Sequence, residues 1–362
     1  MLKKIDLTRF LLFLFLFLHI IPFVVKENYQ FITILNYSLI IFLLFISSFN
    51  NKKISTISII FIVLIFISTL MSVFGYSGTI SSLILAASIP HFLFSNIETD
   101  KDFLKLFYKP IILCSCVLIL FSIPLYIDVK DILIDQYYLG RYFVTASINY
   151  CTLVFNAFCI ILYLLFRTKT KYVDKKIFYS LFLFFFISLS VFFSIIFLTR
   201  TVFVCSLIIL FAYFKKIRKY IVLIVPIIIF YYYDTIFLEV VTFFGSDTVT
   251  EIASDNQRLD SVTDLIISQI NFDFDFRNKM SYSSLINLIF SLFPLTLVFI
   301  YNPFKTLILI LKRRDFSLLL AFSSSFILVI YQMDFLSIFS FFFLINYADK
   351  FLKYNSDANK VN

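Results

Sequence analysis

Four arginines, each close to a long apolar stretch, are the residues of this chain best suited to chemistry: Arg141, Arg200, Arg258 and Arg277. A guanidinium group stays charged at any physiological pH and holds a phosphate through two parallel hydrogen bonds. Several such groups together stabilise negative charge that develops on a departing phosphate, and they do so without a metal ion. These residue types therefore predict a site for a phosphate or a pyrophosphate.

Arg200 is the most informative of the four, because Thr199-Arg200-Thr201 joins two apolar stretches with almost no loop. A charged residue at such a depth is costly in a membrane, which favours a functional role. The alternative is an arginine whose side chain reaches back to the membrane surface. Taken alone, Arg141 and Arg277 fit interfacial anchors, and Arg258 fits a solvated helix start. Taken with Arg200, they favour a shared binding site.

Proton transfer at such a site requires a base, and five carboxylates lie near Arg258 and Arg277 in the sequence: Asp255, Asp260, Asp264, Asp273 and Asp275. A positioned carboxylate can accept the proton of a hydroxyl group. The alternative for each is a solvated loop charge, and the spacing does not choose among them. The acids, cysteines and two histidines show no metal-ligand spacing. We therefore expect neither a metal nor another cofactor.

Helices in a membrane must position these residues. Hydrophobic residues make up 61% of the 362 residues and charged residues 15%, against about 25% charged in typical soluble domains. Apolar stretches approaching the roughly 20 residues that cross a bilayer recur along the whole chain. Backbone groups in lipid must pair within their own segment, which favours helices. We expect an all-α, polytopic transmembrane helical bundle, a single domain over residues 1–362. Its twelve predicted spans are 10–25, 31–48, 55–74, 79–96, 110–127, 144–166, 177–198, 202–214, 220–233, 283–304, 316–331 and 335–347.

The distribution of charge predicts the orientation of these spans. With the N-terminus in the cytoplasm, the cytoplasmic segments carry 24 of the 31 basic residues and 8 of the 22 acidic residues. Cytoplasmic loops of membrane proteins are enriched in Lys and Arg. The net charge of +9 is thus a topology signal that gives no reason to expect a nucleic-acid partner. Both termini are predicted to be cytoplasmic and all four arginines to lie on the outer side.

Two outer segments are longer than the other loops. Residues 128–143 join the fifth and sixth spans, and residues 234–282 form the longest stretch outside a predicted span. Long loops of this kind are usually functional or disordered. The apolar residues of the longer segment follow helical spacing: Leu259, Val262, Ile266, Ile267 and Ile270. That spacing predicts an amphipathic helix lying on the membrane or over a cavity.

The pattern of these elements resembles the O-antigen and capsule polysaccharide polymerase family (Wzy-type), which is related to the O-antigen ligases. The resemblance is carried by Thr199-Arg200-Thr201, by Arg258-Leu259 at a helix start in the large loop, and by Asn278 before the next span. Arg141-Tyr142-Phe143 also resembles the outer segment that precedes a middle span in that family. The resemblance implies a multi-pass protein of the bacterial inner membrane with a large periplasmic loop.

Residue roles follow from the resemblance position by position. It implies that Arg200 and Arg258 act on the lipid-linked phosphate. With Asp260, one of the five loop carboxylates that could take the proton, these are the predicted catalytic residues. Arg141, Arg277 and Asn278 are the predicted substrate-binding residues. Arg277-Asn278 stands where many members of the family have His-Asn. Because an arginine cannot serve as a base at neutral pH, the role proposed for that histidine must fall elsewhere here or be dispensable.

The function implied is polymerisation on the periplasmic face. Repeat units of O-antigen or capsular polysaccharide, linked to undecaprenyl pyrophosphate, would be joined by a glycosyltransferase reaction. The expected partners are the lipid-linked oligosaccharide, membrane lipids and a chain-length regulator. One alternative is an O-antigen ligase, although the missing histidine favours a polymerase. The other is a lipid-linked oligosaccharide flippase, which requires charged residues inside its spans, whereas the predicted spans here are almost uncharged.

The orientation can be tested by labelling single cysteines in a variant without the five native cysteines. We expect Ser254→Cys and Asn271→Cys to react with an impermeant thiol reagent in intact spheroplasts, because both lie in the predicted outer loop. Lys171→Cys should react only after the membrane is broken. Labelling of Lys171→Cys from outside would contradict the predicted orientation.

Overall fold

A computed structural model describes most of the predicted bundle. The residues that it describes are 2–20, 56–73, 78–95, 97–135, 141–170, 176–196, 199–214, 267, 284–290, 295–331 and 335–358. Two predicted spans, 31–48 and 220–233, lie outside these residues, as does the loop 234–282 apart from Ile267.

The described residues are almost entirely α-helical and contain no strand. Within these ranges the helices are α1 (Leu2–Leu18), α2 (Thr56–Val73), α3 (Gly78–Ser95), α4 (Asp100–Asp135), α5 (Arg141–Lys169), α6 (Lys176–Ile196), α7 (Arg200–Tyr213), α8 (Ser284–Phe290), α9 (Val298–Lys312), α10 (Phe316–Tyr331) and α11 (Phe335–Ala358). A 3-10 turn, Leu295–Leu297, precedes α9.

Four of the described helices are long and apolar enough to cross a membrane, through Asp100–Ile123, Cys151–Lys169, Ile177–Ser194 and Phe335–Leu352. Shorter apolar stretches lie in α1, α2, α3, α7 and α10. The prediction of an all-helical protein with apolar, membrane-type helices is therefore confirmed. The count of twelve spans and the sides on which the loops lie remain predictions.

Helix α5 forms the centre of the bundle. In its Cys151–Lys169 stretch, 94% of the residues are buried, against 33% in the apolar stretch of α6. It packs against α4, α6, α7, α10 and α11. Between Cys151 and Phe166 it carries no charged residue, as expected for a helix enclosed by other helices. Among the described helices, these five therefore share α5 as a common neighbour.

Aromatic rings fill the contact between α3, α4 and α11. Phe343 of α11 makes edge contacts with Phe94 at 5.0 Å and with Phe107 at 4.9 Å between ring centroids. Phe103 lies 5.4 Å from Tyr347, with the two rings tilted by 59°. Such pairs contribute about 0.5–1.5 kcal/mol each beyond the area that they bury. In lipid, where apolar surface is not driven out of water, this packing is a main source of attraction between helices.

The segment 128–143, predicted to be an outer loop, is helical over its described residues, 128–135 and 141–143. Helix α4 continues to Asp135 and α5 begins at Arg141, so much of the predicted loop consists of two helix ends. The 36 residues of α4 span about 54 Å at 1.5 Å per residue, well beyond a hydrocarbon core of about 30 Å.

At its N-terminal end α4 is fixed by Thr99. The Thr99 hydroxyl accepts the Asp102 N–H at 3.2 Å, and the Asp102 carboxylate accepts the Thr99 N–H at 3.2 Å. This reciprocal pair is a capping box.

The predicted span 283–304 covers helix α8 and the start of α9, which runs from Val298 to Lys312. The 3-10 turn Leu295–Leu297 precedes α9, and residues 291–294 lie outside the described residues. Of the two alternatives open for residues 303–314, the structure favours an extension of the helix as far as Lys312. The chain then turns through Arg314, which has a φ of 51°, into α10.

Polar contacts gather at one end of the bundle. Arg167 pairs with Asp315, the Thr168 and Tyr347 hydroxyls lie 2.9 Å apart, and the Lys169 ammonium lies 3.6 Å from the centre of the Tyr108 ring. These contacts join α5 to α10, α11 and α4. We call this the basic end, and the other end, where α5 and α7 begin with an arginine, the arginine end. Residues predicted to share one side of the membrane thus lie together.

The Arg167–Asp315 pair is the strongest of these contacts. The two terminal guanidinium nitrogens of Arg167 each donate to one oxygen of the Asp315 carboxylate, Nη1 to Oδ1 at 3.1 Å and Nη2 to Oδ2. Arg167 Nη1 also donates to the Tyr163 hydroxyl at 3.3 Å. The Asp315 carboxylate caps α10 by accepting the Leu318 N–H at 3.1 Å. The arginine stands at the end of α5 and the aspartate at the start of α10, where each charge suits the helix dipole. The side chains are only 24% and 17% exposed, so the loss of one partner leaves the other poorly solvated.

We expect Arg167→Met and Asp315→Asn each to lower the stability of the detergent-solubilised protein by on the order of 2 kcal/mol. This is less than the 3–5 kcal/mol of a fully buried pair, because both groups keep some solvent. The double variant should lose less than the sum of the two, since it leaves no unpaired charge. The measurement is thermal unfolding of all three variants, with Lys312→Met, an exposed position on α9, as the control. Additive losses would show that the two side chains do not depend on each other.

Candidate functional site

The structure describes two of the six predicted site residues, and it does so through their backbone. Arg141 is the first residue of α5 and Arg200 the first residue of α7. Arg258, Asp260, Arg277 and Asn278 lie outside the described residues. The same holds for the other candidate bases, Asp255, Asp264, Asp273 and Asp275.

Arg200 follows a tight connection between α6 and α7. The Thr199 N–H donates to the Ser194 carbonyl at 2.9 Å, and the Thr199 carbonyl accepts the Phe203 N–H at 3.0 Å. The Thr199 side chain donates towards Ser194 at 3.4 Å and does not cap α7. The first N–H groups of a helix have no partner within the helix, and they carry partial positive charge. The start of α7 thus adds backbone donors to the guanidinium group of Arg200.

Helices α5 and α7 are parallel, with α6 running antiparallel beside both. Phe155 of α5 packs against Phe193 late in α6 at 5.2 Å, whereas Phe166 at the end of α5 packs against Tyr179 early in α6 at 5.4 Å. The Tyr213 hydroxyl at the end of α7 donates to the Ser180 carbonyl near the start of α6 at 2.9 Å. Both arginine-bearing helix starts therefore lie at the arginine end.

A buried polar seam sets the register of the two helices. The Asn156 amide of α5 donates to the Ser206 hydroxyl of α7 at 2.9 Å, and the Ser190 hydroxyl of α6 lies 2.9 Å from the same atom. All three side chains are fully buried. In an apolar interior these groups hold each other in place, because each would otherwise lose its hydrogen bond.

The register places the two arginines at different depths. Ser206 is six residues after Arg200, and Asn156 is fifteen after Arg141. At 1.5 Å per residue, the backbone of Arg141 lies about 13 Å further along the helix axis than that of Arg200. The two arginines thus share one end of the bundle, but they are staggered along it.

A second polar feature, which the sequence analysis missed, lies at the basic end. A cleft of about 170 Å³ opens between α2, α3, α9 and α11. Its polar lining residues are His91, Ser95, Asn302, Lys305, Thr306, Asn346, Asp349 and Lys350. The signal was present in the sequence: Asn302, Lys305 and Thr306 on α9, and Asn346, Asp349 and Lys350 on α11, both follow i, i+3, i+4 spacing. That spacing places each set on one helix face. The predicted spans end before Lys305, Asp349 and Lys350, so the sequence analysis treated these three residues as loop charges.

The two histidines have different surroundings. His19 stacks on Phe335 at 4.4 Å between ring centroids, whereas His91 lines the cleft and makes a 3.0 Å hydrogen bond with the Ser58 hydroxyl. Among the described residues, no three His, Cys, Asp or Glu side chains come together in a way that would hold a metal ion.

Comparison with family models, with curated proteins and with solved structures finds no match to this chain. The assignment of a function therefore rests on the residues and the geometry of the two ends of the bundle.

Proposed function

We propose that this protein is a membrane-embedded glycosyltransferase that polymerises repeat units carried on undecaprenyl pyrophosphate. The product would be an O-antigen or a capsular polysaccharide, made on the outer face of the bacterial inner membrane. The observation that carries the proposal is the arrangement of α5 and α7, two parallel helices that start with Arg141 and Arg200 at the same end of the bundle.

The stagger of the two arginines suits an extended ligand. A pyrophosphate that joins a lipid to a glycan has charge near the membrane and sugar further out. Arg200 would meet the phosphate nearest the lipid, together with the N–H groups at the start of α7. Arg141, about 13 Å further along the axis by the rise of an α-helix, would meet the sugar-bearing part.

In the proposed reaction, a hydroxyl group of the incoming repeat unit attacks the anomeric carbon of the growing glycan. A new glycosidic bond forms, the bond between that carbon and the pyrophosphate oxygen breaks, and undecaprenyl pyrophosphate leaves. Arginines would stabilise the charge on the leaving group. A loop carboxylate such as Asp260 would take the proton of the attacking hydroxyl, and Arg258, Arg277 and Asn278 would complete the site from the loop.

The alternatives receive less support from the described residues. A flippase needs charged side chains along the centre of the bundle, yet α5, the central helix, is uncharged from Cys151 to Phe166. A ligase would share the arginines, and the absence of the His-Asn element at Arg277-Asn278 favours the polymerase over it.

We expect Arg200→Ala to lose polymerisation by on the order of 2 kcal/mol or more, as when one preorganised donor is removed from a charge-stabilising site. Arg200→Lys should also be impaired, because an ammonium group cannot make two parallel hydrogen bonds. The measurement is the length distribution of the surface glycan in cells that make equal amounts of each variant.

Two further variants make this test specific. Arg258→Ala should behave like Arg200→Ala if both face one pyrophosphate. Lys130→Ala removes a cation near the C-terminal end of α4, in a different predicted loop, and polymerisation should be close to unchanged. Polymer of normal length from both Arg200→Ala and Arg258→Ala would refute the pyrophosphate site and leave these arginines as interfacial anchors.

A further inference from the structure

The cleft at the basic end is a second candidate binding site, separate from the proposed reaction at the arginine end. It is built by four helices that are distant in sequence. Ile57 of α2, Ser95 of α3, Thr306 of α9 and Ile345 of α11 all line it. Ionisable groups this close to membrane-spanning segments are costly, and they usually mark a functional pathway or site.

Hydrogen-bond donors and positive charge predominate in the cleft. Asp349 is its one acidic side chain, and its carboxylate lies 3.4 Å from the Lys305 ammonium. The charges of Lys305 and Asp349 cancel. The charge of Lys350 then gives the lining a net charge of +1. Asn302 adds an amide group to the lining, whereas the Asn346 amide N–H donates to the Phe342 carbonyl at 2.7 Å. The Lys305 and Asp349 side chains are each 37% exposed, so the site opens to the surroundings of the bundle.

We propose that this cleft binds a phosphate group, carried either by an anionic lipid headgroup or by free phosphate. Basic pockets between membrane helices bind lipid headgroups through these residue types, and charge-assisted hydrogen bonds to phosphate are among the strongest in proteins.

Part of the cleft lining is apolar and suits a ligand with an apolar tail. Ile57 of α2, Phe94 of α3 and Ile345 of α11 line the cleft together with the polar side chains. A lipid headgroup would place the start of its acyl chains against these side chains, whereas free phosphate would use the polar lining alone. Both sources share the same recognition chemistry, and experiment can separate them.

The test uses the purified full-length protein in detergent. Native mass spectrometry counts bound phosphatidylglycerol, with phosphatidylcholine as the zwitterionic comparison, and equilibrium dialysis measures labelled inorganic phosphate. The variants are Lys350→Gln and Asn302→Ala, which remove one donor each. Lys312→Gln is the matched control, because Lys312 is an exposed lysine on α9 that does not line the cleft.

We expect Lys350→Gln to weaken binding about fivefold, the contribution of one basic side chain near a membrane surface. Asn302→Ala should also weaken it, and Lys312→Gln should leave it unchanged. Preference for phosphatidylglycerol without uptake of phosphate would support the lipid source, and uptake of phosphate would support the free anion. Binding that is absent for both ligands, or equally affected by Lys312→Gln, would overturn the proposal. None of these outcomes depends on polymerase activity at the arginine end.

Discussion

The ion pair between Arg167 and Asp315 is the strongest polar constraint between the described helices. It fixes the end of α5, the central helix, to the start of α10, and α5 in turn contacts five other helices. Association between helices in lipid relies on packing and interhelical hydrogen bonds, because lipid is as apolar as the side chains. A bidentate, partly buried ion pair supplies a direction and a register that apolar packing alone does not specify. The Thr168–Tyr347 contact one residue later extends this fixed end to α11.

The ion pair fixes one end of α5, and a hydrogen bond further along α5 fixes the position of α7 relative to it. This bond runs from Asn156 to Ser206 of α7, and α7 begins at Arg200. The residues proposed to meet the pyrophosphate are therefore positioned by contacts in the interior and at the opposite end. The basic-end cleft depends on the same framework, because α11 lines it and packs on α5. The two proposed sites thus belong to one helical scaffold and lie at its two ends.

Much of the helical pattern was predictable, because long apolar stretches in lipid can only be helices. The short span at 202–214 was also predicted, and α7 covers Arg200–Tyr213. The extensions of α4 and α5 into the segment 128–143 were missed, since charge marks the edge of the membrane but does not end a helix. The 3-10 turn Leu295–Leu297 before α9 was also missed, since hydropathy does not report backbone geometry. Phenylalanines, which number 52 in the chain, form ring contacts between α3, α4 and α11 that hydropathy alone does not predict.

The candidate sites were predictable to different degrees. Arg200 could be recognised because an isolated arginine between two spans is rare. The depth of Arg200 relative to Arg141 could not be predicted. It depends on hydrogen bonds among Asn156, Ser190 and Ser206, and these residues look unremarkable in an apolar sequence. The Arg167–Asp315 pair joins residues 148 positions apart, and no local pattern links them.

The most direct test of the central claim is a reaction with purified components. The protein, reconstituted in liposomes, would be given one repeat unit linked to undecaprenyl pyrophosphate, and the products would be separated by size. We expect a ladder of lipid-linked glycans that each differ by one repeat unit, with one undecaprenyl pyrophosphate released for each bond formed. If the substrate crosses the bilayer unchanged, or no product longer than one unit forms, the protein is not a polymerase.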